Sequence, residues 1–202
     1  MNEAVSAAAG GSVVGAFGSS ESCDSPALLI GQGFDAHCFA APGSGRPLWL
    51  AGLLWSAPTG ADAVTLAQYE GIEGDSDGDV AAHALIDALL SAAGLGDIGA
   101  LFGVGAGARG AGMHGCAMLC ETVSFMREHG YAPSSASVVV IGNRPRLGSR
   151  RVEAEQALSQ AVGCRVSLTA TTTDHMGFTG RGEGVAAIAN ALVRPVQARH
   201  AA

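Results

Sequence analysis

The sequence of 202 residues lacks lysine altogether, so its eleven basic residues other than histidine are all arginines. No arginine lies between residues 47 and 108, whereas acidic side chains accumulate there. The formal net charge of −7 argues against nucleic acid or an anionic membrane as a partner. If the acidic region handles a phosphorylated substrate, cations must mediate the contact.

Cysteine pairs and long apolar runs are also missing. The five cysteines are odd in number and form no C-x-x-C motif, which is typical of reduced, mostly buried thiols in a cytoplasmic protein. No uninterrupted apolar run approaches the ~18 residues of a membrane-spanning helix. Residues 1–27 contain neither arginine nor lysine, which disfavours a secretory signal or a transit peptide. We therefore expect a cytoplasmic protein without membrane contact.

What is present favours one domain with much buried surface. Hydrophobic residues make up 48% of the chain and charged residues 14%, a balance that indicates burial between subunits as well. Residues 1–27 are rich in Ala, Gly and Ser and predict a flexible extension. We assign residues 28–195 to the domain and residues 196–202 to a C-terminal tail.

The order of the secondary structure follows from the apolar pattern. Strands are predicted over residues 28–34, 48–54, 137–141 and 166–170, and helices over residues 78–93, 116–129, 149–162 and 183–193. Two loops separate these elements. Residues 56–74 predict a long surface loop that could act as a lid, and the six glycines within residues 103–115 predict a mobile segment.

The helix at residues 78–93 carries an unusual set of polar side chains. Asp79, His83 and Asp87 are spaced at i, i+4 and i+8, so they are expected along one face of an otherwise apolar helix. Ser76 and Asp79 together predict the start of this helix. Because buried charge is costly unless it is paired or bound to a metal, a metal ion is the obvious candidate partner.

A second pair of candidate ligands ends the first strand. Asp35 and His37 are two residues apart, so their side chains point to the same face of an extended segment. Together with His83 they form an Asp, His, His set. Such a set leaves one tetrahedral position open, as catalytic zinc sites do.

Four stretches, in this order, resemble the 2-C-methyl-D-erythritol 2,4-cyclodiphosphate synthase family of the non-mevalonate isoprenoid pathway. They are GFDAH, SDGDVAAHALIDALLSAAGLGDIG, VIGNRPR and TATTTDHMGFTGRGEG. The resemblance covers residues 28–193. Within the family, the sequence looks most like actinobacterial members.

The resemblance implies a fold and a reaction. The fold is an α/β (α+β) single domain, a sheet with helices packed on one face, which assembles as a homotrimer with active sites between subunits. In the reaction, the 2-phosphate of 4-diphosphocytidyl-2-C-methyl-D-erythritol 2-phosphate attacks the β-phosphate of its own cytidine diphosphate group. CMP leaves and 2-C-methyl-D-erythritol 2,4-cyclodiphosphate forms, which makes the enzyme a metal-dependent phosphorus–oxygen lyase.

The same resemblance implies residue roles. The metal ligands are Asp35, His37 and His83, which bind one Zn²⁺ per active site, while Mg²⁺ or Mn²⁺ accompanies the substrate diphosphate. The catalytic set comprises Asp75, Asp87, Thr172 and Asp174, where Asp174 replaces a family glutamate that helps to hold magnesium and Asp87 is expected to orient a ligand histidine. The substrate-binding set comprises Asp97, Gly99, Gly142, Pro145, Arg146, Leu147, Ala170, Thr171, Phe178 and Arg181. Of these, Phe178 and Arg181 match residues that line the central cavity of the trimer, which in some members holds an isoprenoid diphosphate.

Two features depart from the family pattern. Asp75 occupies a position where the family usually has histidine, and an ionised carboxylate repels phosphate unless a cation intervenes. Residues 103–107 read GVGAG where most members have PDTDP in a flap over the substrate. Three functions remain open: an active synthase, a catalytically weakened relative that binds cytidine nucleotides or isoprenoid diphosphates as a trimer, and an unrelated metal-dependent phosphohydrolase.

Overall fold

A computed structural model describes residues 28–61 and 63–197, so the predicted extension over residues 1–27 and most of the predicted tail lie outside the described residues. The strands are β1 (Leu29–Cys38), β2 (Leu48–Leu50), β3 (Leu53–Trp55), β4 (Tyr131–Ile141), β5 (Val166–Thr171) and β6 (Gly184–Pro195). The helices are α1 (Ala63–Ala67), α2 (Val80–Ala93), α3 (Ile98–Phe102), α4 (Gly115–Glu128), α5 (Arg151–Val162) and α6 (Gly177–Gly180).

Four strands form a mixed sheet in the order β1-β6-β4-β5. The central strand β6 is antiparallel to β1 and β4, and β4 is parallel to β5. Helices α2, α4 and α5 contact the sheet and share its apolar core. Ile30 and Phe34 of β1 remain exposed. This arrangement confirms the predicted single α+β domain. No helix in the described part of the chain is both long and apolar enough to cross a membrane.

Glycine lets helix α2 approach strand β1 closely. A Cβ atom at Gly31 would overlap the backbone of Ala88 and Ala92, and one at Gly33 would overlap the backbone of Ala84. The two glycines alternate with exposed residues on β1 and are themselves buried. The pattern G-x-G on the strand and A-x-x-x-A on the helix therefore sets the distance between the two elements that carry the candidate metal ligands.

The predicted helix over residues 183–193 is wrong, because β6 occupies residues 184–195. Its alanine content favours a helix by intrinsic propensity. However, the segment lies between β1 and β4 and is buried on both faces for most of its length. A doubly buried strand shows a continuous apolar run rather than alternation. Pairing with β1 and β4 therefore outweighs the helix propensity of the alanines.

The predicted strand over residues 48–54 is two strands joined by a tight turn. Ala51 and Gly52 have φ angles of 53° and 77°, and β2 and β3 pair antiparallel on either side of them. Two positive φ values at the centre of a two-residue turn are typical of a type I′ hairpin. The long loop predicted before Gly74 also contains a short helix, α1, and strand β4 begins at Tyr131 rather than at Ser137.

Candidate active site

Strand β1 places Asp35 and His37 on the face that contacts helix α2. Both residues continue the alternation that begins at Gly31 and Gly33, so their side chains point toward the first turn of the helix. The strand extends to Cys38 rather than ending near Phe34. The two side chains are therefore fixed by sheet pairing opposite Ala187 and Val185 of β6.

Helix α2 begins at Val80, with Asp79 as its N-cap. Asp79 is fully buried and accepts hydrogen bonds from the backbone N–H groups of Ala51, Gly52, Ala81 and Ala82. Burial, together with the charge of Asp77, raises the pKa of this carboxyl, and the hydrogen bonds from Gly52, Ala51 and Ala82 oppose that shift. The expectation that a metal satisfies Asp79 is wrong, because backbone groups satisfy it. Asp79 instead joins the β2–β3 turn to the start of α2.

His83, one turn into α2, meets the two side chains of β1. Asp35 Oδ2 lies 3.0 Å from His83 Nδ1 and 3.2 Å from His37 Nε2. The two imidazole rings meet edge to face with centroids 5.7 Å apart. His83 is 6% exposed, whereas Asp35 and His37 are partly open to solvent. The structure thus brings together all three predicted metal ligands.

Ser76 holds the buried histidine from its other side. Its Oγ lies 3.0 Å from His83 Nε2, while His83 Nδ1 faces Asp35. If Nε2 carries the proton and donates it to Ser76, the lone pair of Nδ1 points at the shared position between the three side chains. The sequence predicted Ser76 only as part of the helix start, and the structure gives its side chain this different role.

The electrostatics of the triad favour a positive charge at its centre. Burial disfavours the charged form of Asp35, but hydrogen bonds and charge from His37 and His83 outweigh burial and lower the pKa of its carboxyl. Burial likewise opposes protonation of His83, but Asp35 outweighs it and raises the pKa of the imidazole. A divalent cation would meet the same demand for positive charge.

The donor set and its spacing fit a metal ion. Donor atoms of a tetrahedral zinc site lie about 3.3 Å apart when each is about 2.0–2.1 Å from the metal. Asp35 Oδ2 is 3.0–3.2 Å from one nitrogen of each histidine, and all three side chains offer donor atoms within 4.8 Å of one another. The residues can therefore hold one cation without a large rearrangement.

The triad opens into a pocket of about 190 Å³. Its wall is formed by Asp75, by Ile98 and Gly99 at the start of α3, and by the glycine-rich segment that follows Phe102. That volume is below the roughly 300–1,000 Å³ of a complete small-molecule site. The pocket can therefore hold only part of a nucleotide-linked ligand.

Three of the predicted acidic site residues contact backbone groups around this pocket. Asp75 Oδ2 accepts a hydrogen bond from Gly105 N–H at 2.8 Å. Asp87 Oδ1 accepts one from Ile98 N–H at 2.8 Å, so it fixes the start of α3, while both ring nitrogens of His83 have other partners. Asp97 is the N-cap of α3 and accepts a hydrogen bond from Ala100 N–H. The prediction that Asp87 orients a ligand histidine is therefore wrong for His83.

A second group of predicted residues follows the parallel strands β4 and β5. Gly142, Pro145, Arg146 and Leu147 come after β4, and Ala170 to Asp174 end or follow β5. A hydrogen bond from Gly142 N–H to the Thr171 carbonyl joins the two segments. Arg146 and Thr171 are exposed, whereas Leu147 is buried. The lining of the metal-ligand pocket includes none of this group.

The segment after β5 is strongly bent. Asp174 and His175 have φ angles of 48° and 68°, and Thr172 Oγ1 donates a hydrogen bond to Asp174 Oδ1. Non-glycine residues rarely adopt such angles, and they often do so at functional sites. Beyond it, Phe178 is 40% exposed and Arg181 forms a two-pronged ion pair with Glu183.

The structure also reveals positioning contacts that the sequence did not. Arg46 donates hydrogen bonds to the carbonyls of Gly74 and Ser76, at 2.6 and 2.7 Å, and so fixes the segment that carries Asp75. No periodic pattern links residue 46 to residues 74–76.

Of the four described cysteines, none forms a disulfide, and Cys38 and Cys120 are exposed rather than buried.

Comparison with known proteins gives consistent matches. The model of the YgbB family matches residues 28–194. The chain is 70% identical over 169 residues to 2-C-methyl-D-erythritol 2,4-cyclodiphosphate synthase of Bifidobacterium longum, covering 84% of this chain and 97% of that protein. The enzyme of the same name from Cutibacterium acnes is 51% identical, covering 82% and 90%. A solved CDP-bound synthase of this name superposes with a TM-score of 0.65 at 36% identity, covering 81% and 99%.

Proposed function

The chain belongs to the YgbB family, and we propose that it converts 4-diphosphocytidyl-2-C-methyl-D-erythritol 2-phosphate to 2-C-methyl-D-erythritol 2,4-cyclodiphosphate with release of CMP. The observation that carries this proposal is the triad: Asp35 Oδ2 lies within 3.2 Å of both histidines in a chain 70% identical to a named synthase. The activity is that of a phosphorus–oxygen lyase in isoprenoid precursor biosynthesis, which we expect in the cytoplasm.

The chemistry is an internal displacement at phosphorus. An oxygen of the substrate 2-phosphate forms a bond to the β-phosphorus, and the anhydride bond between the α- and β-phosphates breaks, so that CMP leaves with the bridging oxygen. No covalent intermediate with the protein is needed. The chain must hold the attacking oxygen in line and offset the charge on the transferred phosphoryl group.

Asp35, His37 and His83 would hold a zinc ion, and Asp174 would contribute to a Mg²⁺ or Mn²⁺ site on the diphosphate. The bound metals would supply Lewis-acid polarisation of the phosphate oxygens. Ser76 orients His83. Asp79 holds the β2–β3 turn against the start of α2, and Asp87 holds the start of α3, in each case through a backbone hydrogen bond.

The substrate contacts divide between two regions. Asp97 and Gly99 would bind the ribose. The turn after β4 (Gly142, Pro145, Arg146, Leu147) and the end of β5 (Ala170, Thr171, Thr172) would hold cytosine and phosphates. The guanidinium of Arg146 suits a phosphate oxygen, and the open backbone around Gly142 allows close approach.

A homotrimer explains why these two regions do not line one pocket. A neighbouring copy would supply the cytidine-binding turn to the metal-ligand pocket of the first, and exposed apolar residues of β1, such as Ile30 and Phe34, would be covered by it. Phe178 and Arg181 would then face a central cavity that could hold an isoprenoid diphosphate.

Phosphorus NMR of the purified protein with the cytidine diphosphate substrate and Mg²⁺ tests the proposal. We expect the two resonances of a cyclic diphosphate together with CMP. A linear phosphate product would instead indicate a phosphohydrolase, and an unchanged substrate would indicate a protein that only binds it.

The second candidate is a weakened relative that binds cytidine nucleotides or isoprenoid diphosphates as a trimer. The replacement of the family histidine by Asp75 favours it. Calorimetry would show CDP binding without turnover in that case.

A further inference from the structure

The glycine-rich loop, defined here as residues 103–112, forms one wall of the metal-ligand pocket. Val104 and Ala108 line the pocket, although Val104 is also 85% exposed to solvent. Its base is tied to the scaffold by two backbone hydrogen bonds, from Gly110 N–H to the Phe102 carbonyl and from Gly112 N–H to the Asp75 carbonyl. The loop is therefore anchored at its ends, and Val104 and Ala108, on either side of its tip (residues 105–107), face the pocket.

Asp75 makes the contact that reaches the tip. Its Oδ2 accepts a hydrogen bond from Gly105 N–H at 2.8 Å, thirty residues along the chain. Gly105 has a φ angle of 94°, a conformation that favours glycine. Hydrogen bonds to an ionised acceptor are stronger than neutral ones. The carboxylate is thus directed at a backbone donor of the loop.

The backbone on either side of Asp75 is held in place by hydrogen bonds that do not involve the loop. Arg46 Nη2 donates to the carbonyls of Gly74 and Ser76, which flank Asp75. Ser76 in turn contacts His83 of the metal-ligand triad. One short segment therefore connects the loop, through Asp75, to the residues that hold the metal.

We propose that Asp75 is a positioning residue whose carboxylate latches the tip of the glycine-rich loop over the metal-ligand pocket. This inference rests on the proposed function only for its effect on turnover. A closed loop excludes water from the site and strengthens the electrostatic interactions inside it.

Three variants of the metal-loaded protein test the latch. Asp75→Ala removes the acceptor, whereas Asp75→Asn retains an oxygen that can accept from Gly105 N–H. The control is Glu73→Ala, which removes a nearby exposed carboxylate that faces Arg46 instead of the loop. Hydrogen–deuterium exchange of the loop amides, read by mass spectrometry without substrate, reports the closed state directly.

We expect loop exchange to be about three- to tenfold faster in Asp75→Ala than in the unmodified chain, the range for loss of one hydrogen bond. Glu73→Ala should stay within about twofold of the unmodified chain. Asp75→Asn should lie between the unmodified chain and Asp75→Ala, because a neutral oxygen is a weaker acceptor than a carboxylate. With substrate, kcat of Asp75→Ala should fall by a similar factor while KM changes little, and Asp75→Asn should recover most of the loss.

The outcomes separate the latch from its alternatives. Unchanged loop exchange in Asp75→Ala, or an Asp75→Asn variant that behaves like Asp75→Ala, overturns the proposal. So does loss of bound metal in Asp75→Ala, because that would make Asp75 a metal contact. If no variant forms a cyclic diphosphate but the exchange pattern is as expected, the proposed function fails and the latch stands.

Discussion

At the scale of single residues, the site depends on how each acidic side chain is satisfied. Asp35 faces two histidines, whereas Asp75, Asp79 and Asp87 accept backbone N–H groups. The same residue type therefore serves as candidate metal ligand, loop contact and helix cap within one region. Residue type and spacing alone do not distinguish these roles.

Ser76 should affect metal affinity although it is not among the ligands. We predict that Ser76→Ala weakens zinc binding about 10- to 100-fold, because His83 Nε2 loses the partner that orients its ring. Competition with a chromogenic chelator measures this affinity. Ser91→Ala, on the exposed side of α2, is the control and should leave it unchanged. Equal affinities in the two variants would refute the role of Ser76.

The grouping of the three candidate metal ligands was predictable from the sequence, because the spacing of two of them fixes which way their side chains point. Asp35 and His37 lie two apart on a strand, and His83 was identified from the motif that contains it. The contact of Asp79 with the β2–β3 turn and the contact of Asp87 with α3 were not predictable in this way. Their partners, Ala51 and Ile98, are backbone groups of elements whose placement only the folded chain shows.

At the scale of elements, the contact between β1 and α2 holds the site together. Gly31 and Gly33 allow the helix backbone to lie against the strand, and the next two alternate positions of the strand are the candidate ligands Asp35 and His37. Any side chain added at the glycines would push apart the two elements that carry the candidate metal ligands.

We predict that Gly33→Ala costs at least about 2 kcal/mol of unfolding free energy, because its methyl group would overlap the Ala84 carbonyl oxygen. Urea unfolding followed by circular dichroism measures the change. The matched control is Gly148→Ala, where the added methyl group meets no atom within 4 Å. A Gly33→Ala variant as stable as the control would show that the close approach is not needed.

The elements differ in how far local sequence determines them. Helices α4 and α5 lie within two residues of their predicted bounds because their periodicity and terminal glycines are local signals. Strand β6 is predicted as a helix because its alanines have high helix propensity. Its strand conformation depends on pairing with β1 and β4 and on packing against α2, and the sequence of the segment does not reveal these partners.

At the scale of the whole molecule, the proposed function divides the substrate contacts of one chain between two regions. The metal-ligand pocket and the cytidine-binding turn of the proposal lie at the same end of the sheet without sharing a pocket. Assembly would complete the site, so the quaternary structure and the activity should depend on the same surface.

We predict that light scattering gives the mass of three chains for the protein in solution. The Ile30→Asp variant should lose both the trimer and the activity. Ile30 is 74% exposed on β1, and a buried carboxylate there would be unpaired. Val152→Asp, at a 63% exposed position on α5, should leave the trimer intact. A fully active Ile30→Asp monomer would contradict the proposed assembly.

Elemental analysis of the purified protein measures whether Asp35, His37 and His83 hold one zinc ion, as we propose. We expect about one zinc per chain in the unmodified protein and in the control His129→Ala, an exposed histidine at the end of α4, but almost none in His83→Ala. Equal zinc in His83→Ala and His129→Ala, or full activity in protein without zinc, would contradict it.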